Sequence, residues 1–179
     1  MQLDPTPHWR SELLELFVLT PAHVGEAYVA WLNDPAVNRY LESRFARHTQ
    51  ASVQVFVDSM LASADHLFLG IRSLALGGRH VGNIKLGPID RRHGLGEVGI
   101  MLGDTQAWGL GIASAAIAQL ALIARDQLQL RKLSAGCYAS NQGSARAFVK
   151  AGFAVEAQRP QHFLIDGQPE DLVLLGRLL

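Results

Sequence analysis

The sequence predicts an α+β fold, a mixed and mostly antiparallel twisted sheet flanked by helices, in the order β-α-α-β-β-β-α-β-α-β-β. Three observations carry this. Leu67 to Ile71 and His80 to Leu86 flank a Gly77-Gly78 turn, and Glu97 to Leu102 follows a second turn, Asp90 to Gly96. Short strands joined this way pair as antiparallel neighbours. Next comes a strand-loop-helix-strand unit ending at Tyr138, and antiparallel strands ahead of it argue against a doubly wound parallel sheet. Last, 49% of residues are apolar and 18% charged, the balance of a globular chain, and 179 residues suit one domain, 1–179, with a sizeable core.

Taken in order, Glu12 to Leu19 reads as the first strand. Pro21 falls where a first helical turn tolerates proline, Thr20 is a suitable N-cap, and the helix runs to Leu32 before Asn33-Asp34-Pro35 breaks it. A short helix is expected over Val37 to Phe45. Thr49 caps a longer helix through Ala62, with Val53, Phe56, Val57, Met60 and Leu61 on one stripe. Beyond the three hairpin strands, Gly111 to Gln127 is an alanine-rich helix. Its Ile117, Leu120, Ala124 and Leu128 recur at helical spacing, so one face packs on a sheet. Lys132 to Tyr138 is a strand, and Asn141 to Ala151 a helix ended by Gly152. Phe153 to Glu156 and His162 to Ile165 are extended pieces, Asp166-Gly167 is a hairpin turn, and Asp171 to Leu178 closes the sheet.

Composition narrows the partners. Sixteen basic residues balance sixteen acidic ones, without the basic excess that nucleic-acid binding brings, so no nucleic-acid partner is expected. Cys137 is the single cysteine, which rules out an intrachain disulfide and suits a reducing cytoplasm. Met1 to Arg10 lacks a basic and then apolar leader, and no apolar run is long enough to span a bilayer, so no membrane partner is expected. The seven histidines show no pair at helical ligand spacing, and no metal site is expected.

The informative segment is Gln106-Ala107-Trp108-Gly109-Leu110-Gly111-Ile112-Ala113, between a strand and a helix. Its alternate glycines let the backbone approach a ligand. The N–H groups of Trp108 to Ala113 can then converge at the positive end of the following helix, a ready pyrophosphate site. No lysine follows the second glycine, so this is not a nucleoside-triphosphate loop. A dinucleotide loop fits poorly, with Ser114 at its third glycine position and Gln129 where an acid belongs. Taken alone, the octet is also compatible with a turn that merely joins strand to helix.

Gln106-x-x-Gly109-x-Gly111 resembles motif A of the GNAT superfamily of N-acetyltransferases. Asn141-Gln142-Gly143-Ser144, ending in Lys150-Ala151-Gly152-Phe153, resembles its motif B, and Glu97-Val98-Gly99-Ile100-Met101-Leu102 resembles the strand that precedes motif A. The three occur in the family order with the family spacing. The pieces Trp31-Leu32-Asn33-Asp34-Pro35, Val81-Gly82-Asn83-Ile84 and Trp108-Gly109 are most similar to the RimJ/RimL-like group. The resemblance implies a GNAT-type sheet and acetyl-CoA as co-substrate, its pyrophosphate on the Gln106 to Ala113 loop. It also implies strands Glu97 to Leu102 and Lys132 to Tyr138 splaying apart, so that pantetheine adds as a pseudo-strand. Ile100, Met101 and Leu102 then supply N–H groups to a tetrahedral oxyanion, and Asn141 a pantetheine contact. A capping role for Asn141 is compatible with that.

An amine must be neutral to attack a thioester, and a carboxylate can take its proton. Glu97 is the candidate base, with a solvent pairing to Arg91 or Arg92 as the alternative. Phe148 stands where many relatives carry a tyrosine acid. Ser144 matches a serine acid of some RimL-like enzymes, with a backbone-bonded helix residue as the alternative. Cys137 on an apolar strand reads as a buried small hydrophobe. The acceptor side is expected from Val37 to Phe45 and the last hairpin. There Arg39 or Arg44 can hold a carboxylate or phosphate, unless they line a solvated face, and Tyr40 and Tyr138 line the pocket or simply pack. The expected acceptor is a small or terminal primary amine, with amino sugar and protein N-terminus ahead of polyamine or antibiotic. A homodimer is possible. The competing function is a GNAT-fold module that binds acyl-CoA as a sensor without turnover.

Overall fold

The computed structural model describes residues 9–179. The expectation of no leader over Met1 to His8 lies outside them. The strands are β1 (Leu14–Val18), β2 (Leu67–Ser73), β3 (Arg79–Asp90), β4 (Leu95–Leu102), β5 (Lys132–Tyr138), β6 (Ala154–Ile165) and β7 (Gln168–Leu178). The helices are α1 (Glu26–Asn33), α2 (Pro35–Asn38), α3 (Gln50–Ala62), α4 (Ile112–Asp126) and α5 (Gln142–Lys150). The strands form one seven-stranded sheet in the order β1-β2-β3-β4-β5-β7-β6. All its pairings are antiparallel except β4 with β5, because α4 crosses over between them.

Alternation along the strands divides the core into two layers. Leu14, Leu16, Leu69, Ile71, Ile84, Val98 and Leu133 face α4 and α5. The apolar stripe predicted for α4 packs on them, with Ile117, Leu120 and Ala124 each 0% exposed. Each such Leu or Ile contributes about 1.5–3 kcal/mol by burial. On the opposite face Phe17 joins Tyr28 of α1 and Val53 and Val57 of α3 in a smaller cluster.

Local structure departs from expectation at four places. The helix expected from Pro21 divides into a 3-10 turn, Pro21–His23, and α1, which Gly25 caps. The cause is His23, whose Nδ1 accepts from Thr20 N–H at 3.1 Å and closes the turn early. The short helix expected over Val37 to Phe45 becomes α2, capped by Asp34, and a 3-10 turn, Glu42–Phe45. Asn38 Nδ2 donates to Leu32 O at 2.8 Å and ties the end of α2 back to α1. β3 runs on to Asp90 through an irregularity after Leu86. The two pieces expected after Gly152 are one strand, β6. A register shift between Arg159 and Phe163 absorbs Pro160, which an edge strand tolerates.

Candidate active site

The parallel pairing of β4 with β5 covers only Leu95↔Lys132, Gly96↔Leu133 and Glu97↔Ser134, and beyond Glu97 the strands part. Gly103 N–H donates to Val81 O at 2.9 Å, in line with the β3–β4 register. Antiparallel alternation then points the N–H and C=O groups of Gly99 and Met101 at β3, and those of Ile100 and Leu102 into the gap. The Leu102 carbonyl accepts from the Trp108 indole Nε1 at 2.9 Å. The free groups at the gap are therefore the Ile100 N–H and C=O and the Leu102 N–H, edges that an extended ligand can pair with.

α4 begins at the mouth of this gap. Gly111 is its N-cap, with φ +78 and no side chain to cap, so the first-turn N–H groups of Ile112, Ala113 and Ser114 have no intrahelical acceptor. Gly109 also has positive φ, +77, and a Cβ there would meet nothing within 4 Å, so the loop is open to an incoming anion. The residues present thus fit a pyrophosphate-ended thioester substrate: first-turn donors at the positive helix end and an unpaired strand edge leading inward.

The gap opens into a cleft of about 820 Å³ lined from both faces of the sheet. Ala113, Asn141, Ser144 and Phe148 line it from the helix side, and Tyr40, Glu42, Lys85, Glu97, Tyr138 and Phe163 from the other. The Glu97 carboxylate lines the cleft and has no hydrogen bond or ion pair among the described residues. Asn141 caps α5, its Oδ1 accepting from Ser144 N–H at 3.2 Å. The Ser144 hydroxyl makes no hydrogen bond among the described residues, unlike Ser114, whose Oγ donates to Gly111 O at 2.9 Å. Phe148 is 2% exposed and packs edge-on against Phe153, with no polar group to offer. Burial pushes the Cys137 thiol up from its ordinary range, the opposite of what a nucleophilic thiolate needs.

The wall facing Glu97 is aromatic. Tyr138 stacks on Phe163 with centroids 4.4 Å apart and meets Tyr40 at 5.7 Å. Its phenol donates to Glu42 Oε1. Burial, and then this bond, push the phenol up, so it stays protonated as a donor.

Several expected site residues are engaged elsewhere. The Ala107 side chain is 0% exposed in the core and its N–H donates to Asp104 O. Trp108 N–H donates to Thr105 O at 3.1 Å, so the convergent donors begin after Trp108. Gln106 lies on the 3-10 turn Thr105–Ala107 and accepts from Arg79 Nη2 at 2.7 Å. Ile112 sends its side chain to the core, and Leu110 is exposed outside the cleft. Met101 lines the cleft by its side chain, with its backbone given to β3. Arg44 is a strut. It donates to Leu41 O at 2.9 Å and Leu164 O at 3.0 Å and pairs with Glu42, tying the Glu42–Phe45 turn to β6. Arg39 faces Asp166 at 3.5 Å in a separate recess and does not line the cleft. Glu42 and Phe163 fall in the two stretches expected on the acceptor side, Val37 to Phe45 and the last hairpin, without being singled out there, and Lys85 was missed, since no local spacing marks it. Only the turn-to-strand packing and the β3–β4 register bring them to the cleft.

The sheet is thus parted between two parallel strands, with a bare helix N-terminus at its mouth and an unpartnered carboxylate inside. The family described as acetyltransferase (GNAT) domain has a model that matches residues 14–154, so the chain belongs to the GNAT acetyltransferases, acyl-CoA-dependent enzymes. No curated protein sequence matches. Among solved structures, spermidine N-acetyltransferase from Vibrio cholerae in complex with CoA and spermine superposes with TM-score 0.81 at 17% identity, covering 92% of this chain and 95% of that one. The microcin C7 self-immunity acetyltransferase MccE in complex with acetyl-CoA and AMP gives 0.80 at 16% identity, 94% of each chain covered. A GNAT-family acetyltransferase from Bacillus anthracis gives 0.80 at 18%, covering 94% and 96%. Likeness at these identities shows the shared fold. Among the described residues, no helix is long and apolar enough to cross a membrane, and no group of three or more His, Cys, Asp or Glu gathers to hold a metal.

Proposed function

We propose that this chain, acting as one domain, transfers the acetyl group of acetyl-CoA directly to a small or terminal primary amine in a ternary complex. The observation that carries the reading is the cleft itself, open on both faces of the sheet, with Glu97 unpartnered on the face opposite α5. The first turn of α4 binds the pyrophosphate and the free edge of β4 aligns the thioester. Glu97 takes a proton from the amine, directly or through a water, and the neutral nitrogen attacks the thioester carbonyl carbon. The Ile100 or Leu102 N–H receives the developing oxyanion. As the C–S bond breaks, the Ser144 hydroxyl donates a proton to the leaving sulfur and recovers one from the nitrogen of the collapsing intermediate, directly or through a water, which leaves a neutral amide and a neutral thiol. A thiol pKa of about 8.5 makes that help useful rather than essential.

An acceptor of modest pKa suits one carboxylate base without a tyrosine acid. A terminal α-amine titrates at about 8, a lysine side chain at about 10.4. Amino sugars and protein or peptide N-termini therefore stand ahead of polyamines and antibiotics, although spermine occupies the Vibrio cholerae relative. The Trp31 to Pro35 and Val81 to Ile84 pieces favour the RimJ/RimL-like group. The test is thiol release from acetyl-CoA with a panel of peptides, amino sugars, polyamines and aminoglycosides. Amine-dependent release with at least one of them is expected. A protein that binds acetyl-CoA yet releases thiol with none is a sensor instead.

A further inference from the structure

The charged groups lining the cleft are Glu42, Lys85 and Glu97. Glu42 is already satisfied by Tyr138 and Arg44. Lys85 differs. It is half-buried, and among the described residues its ammonium has neither a hydrogen bond nor an ion pair. The β3–β4 register sets it opposite Gly99, two residues along from Glu97 on the same face of the sheet. Diagonal neighbours of that kind lie about 7 Å apart. Gly99 contributes no side chain, and a Cβ there would meet only Lys85 Cε, at 4.0 Å. The lysine stem thus borders otherwise open space over β4. One face of the cleft therefore presents an unpartnered carboxylate beside an unpartnered ammonium. The lysine head has no hydrogen-bond or ion-pair partner to give up, so an anionic group on a ligand can take its donors.

We infer that the acceptor carries an oxyanion, a carboxylate or a phosphate, a few bonds from its amine, and that Lys85 holds it. The inference rests on the amine-acetylation reading above and names its substrate class. The acceptor's ammonium sits at Glu97, where its proton is removed, and its oxyanion sits at Lys85. Two points of attachment fix the direction of the nitrogen lone pair towards the parted strands. A linear polyamine would set its second cation against Lys85, so the same residue selects against it. Amino acids and phosphorylated amino sugars share the required chemistry.

Calorimetry on the protein saturated with CoA tests this without requiring turnover. The probes are two matched pairs, glucosamine 6-phosphate with glucosamine and β-alanine with β-alaninamide. In the wild type, the anionic member of at least one pair binds about tenfold tighter or better than its neutral partner, and that pair identifies phosphate or carboxylate. Lys85→Gln brings the ratio to within about twofold, the loss falling on the anionic member, while Lys85→Arg retains the preference. Gly99→Val fills the space from the β4 side and lowers the ratio independently of any effect of Lys85→Gln on folding. Equal binding within both pairs, no detectable binding of any probe, or a preference that survives in Lys85→Gln overturns the inference. Thiol release separates it from the reading beneath it. Amine-dependent release without charge preference removes the role of Lys85 alone. Charge preference without release removes acetyl transfer and leaves the anion site.

Discussion

Gly82→Ala is expected to damage the catalytic strand through a single methyl group. Gly82 lies on β3 opposite Leu102, and a Cβ there would sit 2.2 Å from Met101 O and 2.9 Å from Leu102 Cα. Both are backbone atoms of β4, so no side chain can swing aside, and β4 must move by roughly 1 Å to restore ordinary contact. Overpacking of this kind costs about 1–3 kcal/mol, and a central value of about 2 kcal/mol lowers the Tm of a chain this size by about 4–8 °C. The Ile100 and Leu102 N–H groups move with the strand, and a misplacement of about 1 Å lowers kcat by about a hundredfold. Gly99→Ala is the control. It is the same change on the neighbouring strand, meeting only the flexible end of Lys85 at 4.0 Å, and its Tm stays level or rises slightly. Differential scanning calorimetry gives the stabilities and initial-rate thiol release the kcat. Wild-type Tm and kcat in Gly82→Ala, or equal destabilisation by Gly99→Ala, would refute the argument that β3 holds β4 by backbone contact.

Glu97→Gln should lower turnover by about 10²–10⁴-fold at neutral pH, with less loss as pH rises and more of the amine arrives neutral, while coenzyme affinity barely changes; wild-type turnover at neutral pH would move the base elsewhere. Gly109→Asp should weaken coenzyme binding in a folded protein, since it adds an anion and a side chain at φ +77 in the loop before α4, and titration calorimetry showing unchanged affinity would displace the pyrophosphate from this loop. His80 supplies a pH dependence. Burial among Phe17, Tyr28 and Trp31 holds its pKa below the usual value of about 6.5, so the unfolded chain binds the proton more readily. Its contribution to stability is present above about pH 6.5 and is lost as pH falls towards the lowered folded value. Melting curves from pH 7.5 to 5 should therefore fall less steeply for His80→Gln than for the wild type, and parallel curves would remove His80 as the cause.

Legibility in the sequence followed the range of the interactions involved. The Gly109 and Gly111 turn and the stripe of α4 were readable because backbone freedom and helical period are local properties. The Pro21 to Leu32 region was misread because a side chain, His23, closes the turn on Thr20, and hydrophobic spacing carries no sign of that bond. Arg44 has the same composition signal whether it holds a substrate or a neighbouring carbonyl, and Leu164 O, its partner, is 120 residues away. The donor set on β4 is subtler. Motif resemblance marks Ile100 to Leu102 as a unit, but the antiparallel ladder with β3 gives the gap only alternate residues. Glu42 reaches the site because its turn packs under Tyr138, 96 residues away, and Lys85 because of the strand register.

The central claim is direct acetyl transfer to an amine, and isotope-labelled acetyl-CoA tests it most directly. The protein is incubated with labelled acetyl-CoA and the best amine of the panel, and intact protein and small-molecule products are weighed by mass spectrometry. The label is expected in an amide of the amine, in step with released thiol, with the protein mass unchanged. Label retained on the protein, or thiol released at the same rate without amine, would contradict direct transfer from acetyl-CoA to an amine in this cleft.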